Sequence, residues 1–281
     1  MPKQSTISER LRMARERLRG SESPELDAAL LLCRLIGKPR TYLYTWPDKE
    51  LSEEEENAFE GLVRRRVAGE PIAHILGERE FWNLTLKVTP ATLIPRPETE
   101  LLVEQALQRI PPEAHWKIAD LGTGSGAIAL VIAKERPGCT VTAMDTSEAA
   151  LEVALENAQR YALDNLRFRS GNWFTGLEGE RFRLIASNPP YVAEEDPHLS
   201  QGDLRFEPRS ALASGTDGLD DIRRIVSLAP EHLEADGWLL LEHGYDQGDA
   251  VRSILDDAGF SEIKGFSDLG GNARVTSGKT P

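Results

Sequence analysis

The sequence lacks most of the features that define several common protein classes. Only two of its 281 residues are cysteine, Cys33 and Cys139, too few for a disulfide framework, and neither a CxxC nor an HExxH motif occurs. No apolar run approaches the roughly 18 residues of a membrane helix. The start of the chain also lacks the apolar core of a secretory signal. These absences predict a protein of the reducing cytoplasm, with no membrane segment and no metal site.

Acidic residues outnumber basic ones, and the excess is confined to one part of the chain. The sequence has 46 Asp and Glu against 33 Lys and Arg, a net charge of -13. Residues 1–75 contain 13 of each sign, so the remaining residues carry the whole excess. Because an acidic body repels phosphate backbones, direct binding of nucleic acid is not expected.

The first 75 residues have the pattern of short helices without strands. Helix-start signals stand at Ser8, at Ser23-Pro24 and at Ser52, and apolar residues follow each of them at helical spacing. Ser52 and Glu55 have the spacing of a capping box. The sequence therefore predicts a small all-helical domain over residues 1–75.

Residues 76–97 differ in pattern from the helices before them. Phe81–Val88 alternates like a strand, and Leu93-Ile94 could pair with it. Prolines on either side exclude helices here. We expect a β-hairpin that links the helical domain to a second domain over residues 98–281.

From Trp116 onward, strand-like and helix-like segments alternate. The strand-like segments are Lys117–Leu121, Thr140–Asp145, Leu166–Arg169, Phe182–Ser187, Trp238–His243 and Glu262–Phe266. The helix-like segments are Ala127–Glu135, Ser147–Ala162, Gly218–Ala235 and Gln247–Ala258. This alternation predicts an α/β fold with a doubly wound, mostly parallel, Rossmann-like sheet. Such sheets bind ligands beyond the carboxyl ends of their strands, so the loops that follow strands are the places to look for chemistry.

The first such loop is rich in glycine. It has the sequence Asp120-Leu-Gly122-Thr-Gly124-Ser-Gly126-Ala127, between the first strand and a helix. Glycines let a ligand approach the backbone, and a helix start offers free N–H groups. Since Gly122-x-Gly124-x-x-Ala127 also satisfies a loose dinucleotide fingerprint, an NAD-dependent dehydrogenase stays open at this point.

Asp145 ends the second strand, 23 residues after Gly122. A carboxylate there accepts hydrogen bonds from both hydroxyls of a ribose. NAD and S-adenosylmethionine share that ribose, so Asp145 indicates a nucleoside-containing cofactor without identifying it. The alternative is a helix cap ahead of Ser147.

The fourth strand is followed by Asn188-Pro189-Pro190-Tyr191. The prolines remove two backbone donors and fix two φ angles, and they push the residue before each of them into extended geometry. The Asn188 side-chain carbonyl and a rigid backbone carbonyl then form a pair of acceptors beside the aromatic face of Tyr191. Such a pair suits a planar NH₂ group, whereas a dehydrogenase has no use for it.

These motifs together resemble class I S-adenosylmethionine-dependent methyltransferases that modify planar nitrogens, both amide and adenine. The chain is similar over almost its whole length to one of their families, the release-factor glutamine methyltransferases (HemK/PrmC). Six further strings resemble that family's signatures: Ile94-Pro-Arg-Pro-Glu-Thr-Glu100, Asn172-Trp-Phe174, Asp196-Pro-His-Leu199, Gly202-Asp-Leu-Arg-Phe-Glu-Pro208, Leu241-Glu-His-Gly244 and Asp268-Leu-Gly-Gly-Asn-Ala-Arg-Val275.

The resemblance implies two sets of site residues. The cofactor set is Gly122, Thr123, Gly124, Ser125 and Gly126 at the methionine end, Asp145 at the ribose, Trp173 beside the adenine, and Asn188. The substrate set is Asn188, Pro189, Pro190 and Tyr191, of which Asn188, Pro189 and Tyr191 carry the catalysis. One position departs from the family, because Asn172 stands where an Asp is usual, which puts an adenine contact there in doubt.

The implied activity is transfer of a methyl group from S-adenosylmethionine to the N5 amide nitrogen of a glutamine. The implied substrates are peptide chain release factors, at their Gly-Gly-Gln loop, with the helical domain as the recognition domain. Three alternatives remain: a ribosomal-protein glutamine N5-methyltransferase, an adenine N6 methyltransferase, and a non-catalytic binding module that keeps the fold. The acidic charge disfavours the adenine enzyme.

Overall fold

The structure is a computed structural model that describes residues 5–280. The chain divides between Gly77 and Glu78 into two compact units. No helix in the described part of the chain is both long enough and apolar enough to cross a membrane.

Residues 5–77 form a helical unit, as predicted. Its helices are α1 Ile7–Arg17, α2 Pro24–Ile36, α3 Arg40–Thr45, α4 Glu53–Val67 and α5 Ile72–Leu76. Their apolar faces pack together around buried Ile7, Leu31 and Phe59. The helices are amphipathic, and the packing of their apolar faces against one another stabilises the unit.

The start signals of these helices were partly correct. Ser52 and Glu55 form the expected capping box at α4. At α1 the capping residue is Thr6 instead of Ser8, because Thr6 forms the reciprocal bonds with Glu9. Ser23 precedes α2 as predicted, but its hydroxyl donates to the Asp27 carboxylate at 3.2 Å and caps no backbone N–H.

Residues 78–280 form a hairpin, a larger sheet and helices on both of its faces. The strands are β1 Glu78–Phe81, β2 Leu84–Lys87, β3 Lys117–Leu121, β4 Thr140–Asp145, β5 Leu166–Ser170, β6 Phe182–Ser187, β7 Leu233–Glu242, β8 Ser261–Ser267 and β9 Ala273–Lys279. The α-helices are α6 Thr99–Arg109, α7 Ala127–Glu135, α8 Glu148–Arg160, α9 Asp220–His232 and α10 Gly248–Asp257. Three short 3-10 helices between β6 and α9 span Pro197–Ser200, Leu204–Phe206 and Arg209–Ala211.

The hairpin lies where it was expected, but its pairing was predicted wrongly. β1 pairs antiparallel with β2, and the turn falls at Trp82, whose φ is +56°. The segment from Phe81 to Val88 therefore contains the end of β1, the turn and β2, and Leu93-Ile94 is not a strand. The polar Asn83 after Trp82 is the residue type that favours such a turn.

One buried side chain connects the hairpin to the loop after β3. Asn157 on α8 accepts the Lys87 N–H at 2.7 Å and donates to the Lys87 carbonyl at 3.0 Å. Its Nδ2 also donates to the Ser125 carbonyl at 2.9 Å. Because Asn157 is fully buried, these bonds replace the water that its amide loses on folding.

The large sheet has the strand order β5-β4-β3-β6-β7-β9-β8. The first five strands of that order are mutually parallel, whereas β9 runs antiparallel to both β7 and β8. The chain moves outward from β3 to β4 and β5, and then returns to β6 on the other side of β3. The doubly wound, mostly parallel sheet is thus confirmed, with its switch point between β3 and β6.

Each face of the sheet has its own core. Ile118 of β3 packs with α6, α7 and the hairpin, through residues such as Leu102 and Leu130. Its neighbour Ala119 faces the opposite core, which contains Ile222 of α9 and Val251 of α10. The alternation of side chains along β3 therefore fixes both layers at once.

The strand that sequence analysis missed is β9. Thr276 and Ser277 give it a polar appearance, although both are fully buried. Their hydroxyls are paired inside the fold, with the His243 Nε2 at 2.8 Å and the Arg109 Nη2 at 2.9 Å. Buried polar partners, which are distant in sequence, thus allow a strand that apolar patterning did not reveal.

Candidate functional site

The register of three strands brings the predicted loops to one edge of the sheet. Leu121, the last residue of β3, pairs with Met144 on β4 and with Ser187 on β6. The residues that follow these three are Gly122, Asp145 and Asn188. They open together onto a cavity of about 290 Å³, close to the lower end of the range of small-ligand sites. Its lining includes Gly122, Gly124, Asp145, Asn172, Trp173, Asn188 and Pro190.

The glycine loop turns sharply because its backbone is left-handed at three positions. The φ angles are +74° at Gly122, +55° at Gly124 and +88° at Gly126. A Cβ at Gly126 would lie 2.2 Å from the Leu130 Cδ1, so any side chain there collides with α7. The loop thus presents bare backbone to the cavity at the start of a helix, where N–H groups have no helical partner.

The side chains of Thr123 and Ser125, within this loop, are buried. The Thr123 hydroxyl donates to the Asp120 Oδ2 at 2.6 Å, and the Ala129 N–H donates to the same oxygen at 3.1 Å. Burial raises the pKa of Asp120 to about 7, since the hydrogen bonds offset only part of the cost of removing its charge from water. The Asp120 carboxyl therefore connects Thr123 in the loop to Ala129 in the first turn of α7.

Asp145 lies in the cavity wall and braces the loop as well. Its Oδ2 accepts the Gly124 N–H at 2.9 Å, and its Oδ1 accepts the Ser147 N–H at 2.9 Å. The helix cap of α8 is Ser147, whose hydroxyl oxygen accepts the Ala150 N–H at 3.2 Å. A carboxylate offers about four acceptor positions, so Asp145 has capacity for hydroxyl donors from a ligand.

Trp173 forms another part of the wall and is fixed in place. Its backbone has a φ of +55°, and its Nε1 donates to the Asp221 Oδ1 at 3.1 Å. Asp221 in turn accepts the Ser214 hydroxyl at 2.7 Å. A Cβ added at Gly122 would lie 3.3 Å from the Trp173 ring, so Gly122 and Trp173 form closely spaced walls of the cavity.

Asn188 is oriented by a residue at the start of α6. Its Nδ2 donates to the Thr99 Oγ1 at 3.2 Å. Since the amide nitrogen is engaged with Thr99, the amide oxygen is the atom that remains for a ligand. Thr99 is buried and lines a smaller cavity together with Thr123, Ser125 and Asn188.

Tyr191 belongs to the same buried network. Its hydroxyl donates to the Oε1 of Glu242, the last residue of β7, at 3.3 Å. Glu242 is fully buried, and burial raises its pKa to about 7, while the Thr99 and Tyr191 hydroxyls act in the opposite direction. Burial also raises the pKa of Tyr191, so its phenol is neutral. The two prolines between Asn188 and Tyr191 are buried, and Pro190 lines the cavity.

A buried ion pair holds the segment that precedes α6. The Glu207 carboxyl accepts the Ile94 N–H at 2.8 Å and pairs with Arg96. Burial raises the pKa of Glu207, and Arg96 opposes that shift. The neighbours Leu93 and Pro208 line the cavity, so this pair fixes two of its walls.

Thr99, Glu207, Asp221 and Glu242 are the site residues that sequence analysis missed. Glu242 had a signal that could have revealed it, because it is a carboxyl at the end of a buried strand, on the edge where ligands bind. Thr99 and Glu207 lie within strings already singled out, although no role followed from their spacing. No pattern in the sequence around Asp221 predicts its hydrogen bond with Trp173.

Two family models match the chain. The PrmC N-terminal domain matches residues 9–77, and the methyltransferase small domain matches residues 97–204. The first match lies in the helical unit, and the second covers about half of the larger unit.

Curated relatives match over nearly the full length. The release factor glutamine methyltransferase of Vibrio cholerae serotype O1 is 54% identical over 277 residues, which cover 98% of this chain and 96% of the relative. That of Pseudomonas aeruginosa is 54% identical over 259 residues, or 92% and 94% of the two chains.

A more distant protein shares the fold. A 16S rRNA methyltransferase from T. thermophilus, solved in complex with AdoMet and guanosine, superposes with a TM-score of 0.56 at 18% identity. The superposition covers 73% of this chain and 50% of that one. At this identity the likeness shows a common architecture.

Proposed function

Because this chain belongs to the family of release factor glutamine methyltransferases, we propose that its methyl transfer takes place in the cavity at the carboxyl ends of β3, β4 and β6. The enzyme depends on S-adenosylmethionine and methylates a glutamine side chain of release factors. The observation that supports this location is that Asp145 and Asn188 line one cavity.

The residues of this cavity fit the cofactor. Gly122 and Gly124 bring bare backbone to the cavity wall, and we assign the loop from Gly122 to Gly126 to the methionine end. The free acceptor capacity of Asp145 suits the ribose hydroxyls, and the fixed ring of Trp173 suits an adenine face. Asn172 also lines the cavity, and its amide keeps an acceptor where the family usually has a carboxylate.

The chemistry requires orientation more than a strong base. A glutamine amide nitrogen is a weak nucleophile, because its lone pair is delocalised into the carbonyl. When bound, S-adenosylmethionine supplies an electrophilic methyl group on a positively charged sulfur. The Asn188 Oδ1 and the Pro189 carbonyl accept the two amide hydrogens, favour a more pyramidal nitrogen and stabilise the positive charge that develops on it.

Tyr191 acts on the plane of the substrate amide. We assign to its ring the role of holding the amide in alignment with the methyl group and of excluding water. The methylated nitrogen is a cation that loses its proton readily, so no base is needed before attack. Most of the rate enhancement then comes from alignment.

The finer substrate assignment is the glutamine of the Gly-Gly-Gln loop of release factors. We assign recognition of the release factor to the helical domain of residues 1–75, a linking role to the hairpin of residues 76–97, and catalysis to residues 98–281. Two observations support this division. The match to the PrmC N-terminal domain ends at residue 77, and every residue proposed to hold the cofactor lies beyond Trp116.

The test is methyl transfer from labelled S-adenosylmethionine to purified candidate substrates. We expect label in a release factor and none when its loop is changed to Gly-Gly-Ala. A ribosomal protein and adenine-containing DNA, assayed in parallel, should stay unlabelled. Labelling of either of these in place of the release factor would overturn the assignment, as would labelling of the Gly-Gly-Ala variant at the same rate.

A further inference from the structure

Tyr191 is held at both of its ends by the turn that joins β7 to α10. Its hydroxyl donates to the Glu242 Oε1 at 3.3 Å, and its backbone carbonyl accepts the Gln247 Nε2 at 3.0 Å. Glu242 is the last residue of β7, and Gln247 is the residue before α10. Both partners therefore belong to one short turn, and the position of the Tyr191 ring depends on that turn.

The Gln247 side chain uses both atoms of its amide at this junction. Its Oε1 accepts the Gly244 N–H at 2.8 Å, which fixes the side chain to its own turn. Its Nε2 has two hydrogens and donates to the carbonyls of Tyr191 and Asp217 at 3.0 and 3.2 Å. These two carbonyls lie 56 and 30 residues from Gln247 in sequence. One amide thus connects three backbone segments that tertiary folding brings together.

Gly218 shows how closely these segments meet. Its φ is +76°, and a Cβ added there would lie 2.2 Å from the Tyr191 carbonyl oxygen and 2.8 Å from the Gln247 Nε2. Only a residue without a side chain fits at this position. Close packing and a hydrogen bond therefore both confine the Tyr191 carbonyl.

Gln247 is near the substrate loop without being part of the cavity wall. The described residues that line the cavity include Asn188 and Pro190, but not Gln247. Pro190 directly precedes Tyr191 in the chain. An effect of Gln247 on the reaction must then pass through the backbone of Tyr191.

We propose that Gln247 is a positioning residue for methyl transfer, and that it acts by fixing the backbone of Tyr191. This inference rests on the proposed function, which assigns the Tyr191 ring to the substrate amide. With its carbonyl on Gln247 and its hydroxyl on Glu242, the ring keeps one position relative to Asn188 and Pro189. Because alignment supplies most of the rate enhancement, a displaced ring lowers kcat without weakening cofactor binding.

Gln247→Glu tests the donor without changing the size of the side chain. The carboxylate keeps an acceptor for the Gly244 N–H, but it places an oxygen against the Tyr191 and Asp217 carbonyls. We expect kcat for release-factor methylation to fall about tenfold, the scale of one to two neutral hydrogen bonds. The dissociation constant of S-adenosylmethionine and the KM for the release factor should each change less than about twofold. Gln159→Glu, the same change at an exposed position on α8, should alter none of these quantities.

A double-mutant cycle shows whether Gln247 acts through Tyr191. In a Tyr191→Ala background there is no ring to position, so Gln247→Glu should lower kcat little further. Additive losses would overturn the proposal, because independent effects add. A Gln247→Glu enzyme with wild-type kcat would overturn it too, as would an equal loss of cofactor affinity. A wild type that does not methylate its release factor would instead refute the proposed function.

Gly218→Ala is a second variant, which leaves the polar atoms of Gln247 in place and does not depend on Gln247→Glu folding. Its Cβ displaces the Tyr191 carbonyl, so kcat should again fall while the dissociation constant of S-adenosylmethionine stays the same. Gly179→Ala is the matched control, because Gly179 has a φ of +77° with no atom within 4 Å of an added Cβ. That control should keep wild-type kcat. A Gly218→Ala enzyme that is folded by circular dichroism and has wild-type kcat would contradict the proposal.

Discussion

Two loops at the same edge of the sheet differ in what they present to a ligand. The loop after β3 has glycines with positive φ and presents backbone without side chains at the start of α7. The loop after β6 has Asn188 and two prolines, which remove donors and leave carbonyl acceptors. Neighbouring strands thus supply different halves of one site, with close backbone on one side and oxygen acceptors on the other.

The two loops are also supported in different ways. The glycine loop is braced in part by a nearby group, since Asp120 and Thr123 are only three residues apart. Its bonds to Asp145 and Asn157 span 21 and 32 residues. The side chains of the loop after β6 are fixed by partners that lie farther away, since Asn188 and Thr99 are 89 residues apart and Tyr191 and Glu242 are 51 apart. A local motif can therefore carry part of the geometry of the first loop, but less of the second.

The largest effect is expected at the acceptor loop. Asn188→Ala removes one acceptor from the reacting nitrogen, and by analogy with the loss of one oxyanion-hole group, turnover should fall roughly 10²–10³-fold. S-adenosylmethionine binding should weaken much less than turnover, because the glycine loop, Asp145 and Trp173 remain. Single-turnover methylation and calorimetry give both quantities, and Asn83→Ala in the exposed hairpin turn is the control. Retention of about a third of the activity, far short of that loss, would move the acceptor elsewhere.

The opposite split is expected at Asp145, on the cofactor side of the cavity. Asp145→Ala should weaken S-adenosylmethionine binding by about 1.5–3 kcal/mol, the scale of charge-assisted hydrogen bonds. Turnover at saturating cofactor should change much less. Asp145→Asn keeps an acceptor without the charge, so its dissociation constant for S-adenosylmethionine should lie between those of the wild type and Asp145→Ala. If kcat fell and the dissociation constant stayed the same, the assignment of Asp145 to the cofactor would be wrong.

A smaller effect concerns the shape of the glycine loop. Gly126→Ala brings a Cβ to 2.2 Å from the Leu130 Cδ1 at a φ of +88°, so it should lower the free energy of unfolding by about 1–3 kcal/mol. Gly61→Ala is the control, because that glycine lies inside α4 with no atom near its would-be Cβ. It should raise stability by roughly 0.5–1 kcal/mol. Denaturant unfolding measures both, and equal stabilities would show that the loop is not constrained by packing.

The smallest effect is expected in the dependence of folding stability on pH. Other carboxyls have pKa shifts of the opposite sign and titrate in a neighbouring pH range, so they offset part of the effect. Burial raises the pKa of both Asp120 and Glu242 to about 7. Between their ordinary values and pH 7 the folded state therefore binds more protons than the unfolded state, so these two groups make stability fall as pH rises through that window. Asp120→Asn and Glu242→Gln should each flatten this part of the curve. A steeper decline in either variant would contradict the sign.

Much of the fold and part of the candidate site could be predicted because their signals are local. β3, β4 and β6 have the predicted bounds, and the residues that follow them line the cavity. The hairpin pairing was missed because alternation continued past the turn at Trp82. Thr99 and Glu242 could not be assigned roles, since their bonds to Asn188 and Tyr191 arise from tertiary packing and leave no spacing pattern.

Asn157 has a practical consequence for anyone who wishes to shorten or recombine this enzyme. Its buried amide bonds to the backbone of Lys87 on the hairpin and to the Ser125 carbonyl in the cofactor loop. A truncation after the hairpin would leave the Asn157 oxygen and one of its hydrogens without partners, at about 1–3 kcal/mol for each unpaired group. A fragment that keeps the cavity should therefore begin at Glu78, and a chimaera carrying another N-terminal domain should be joined at that same residue.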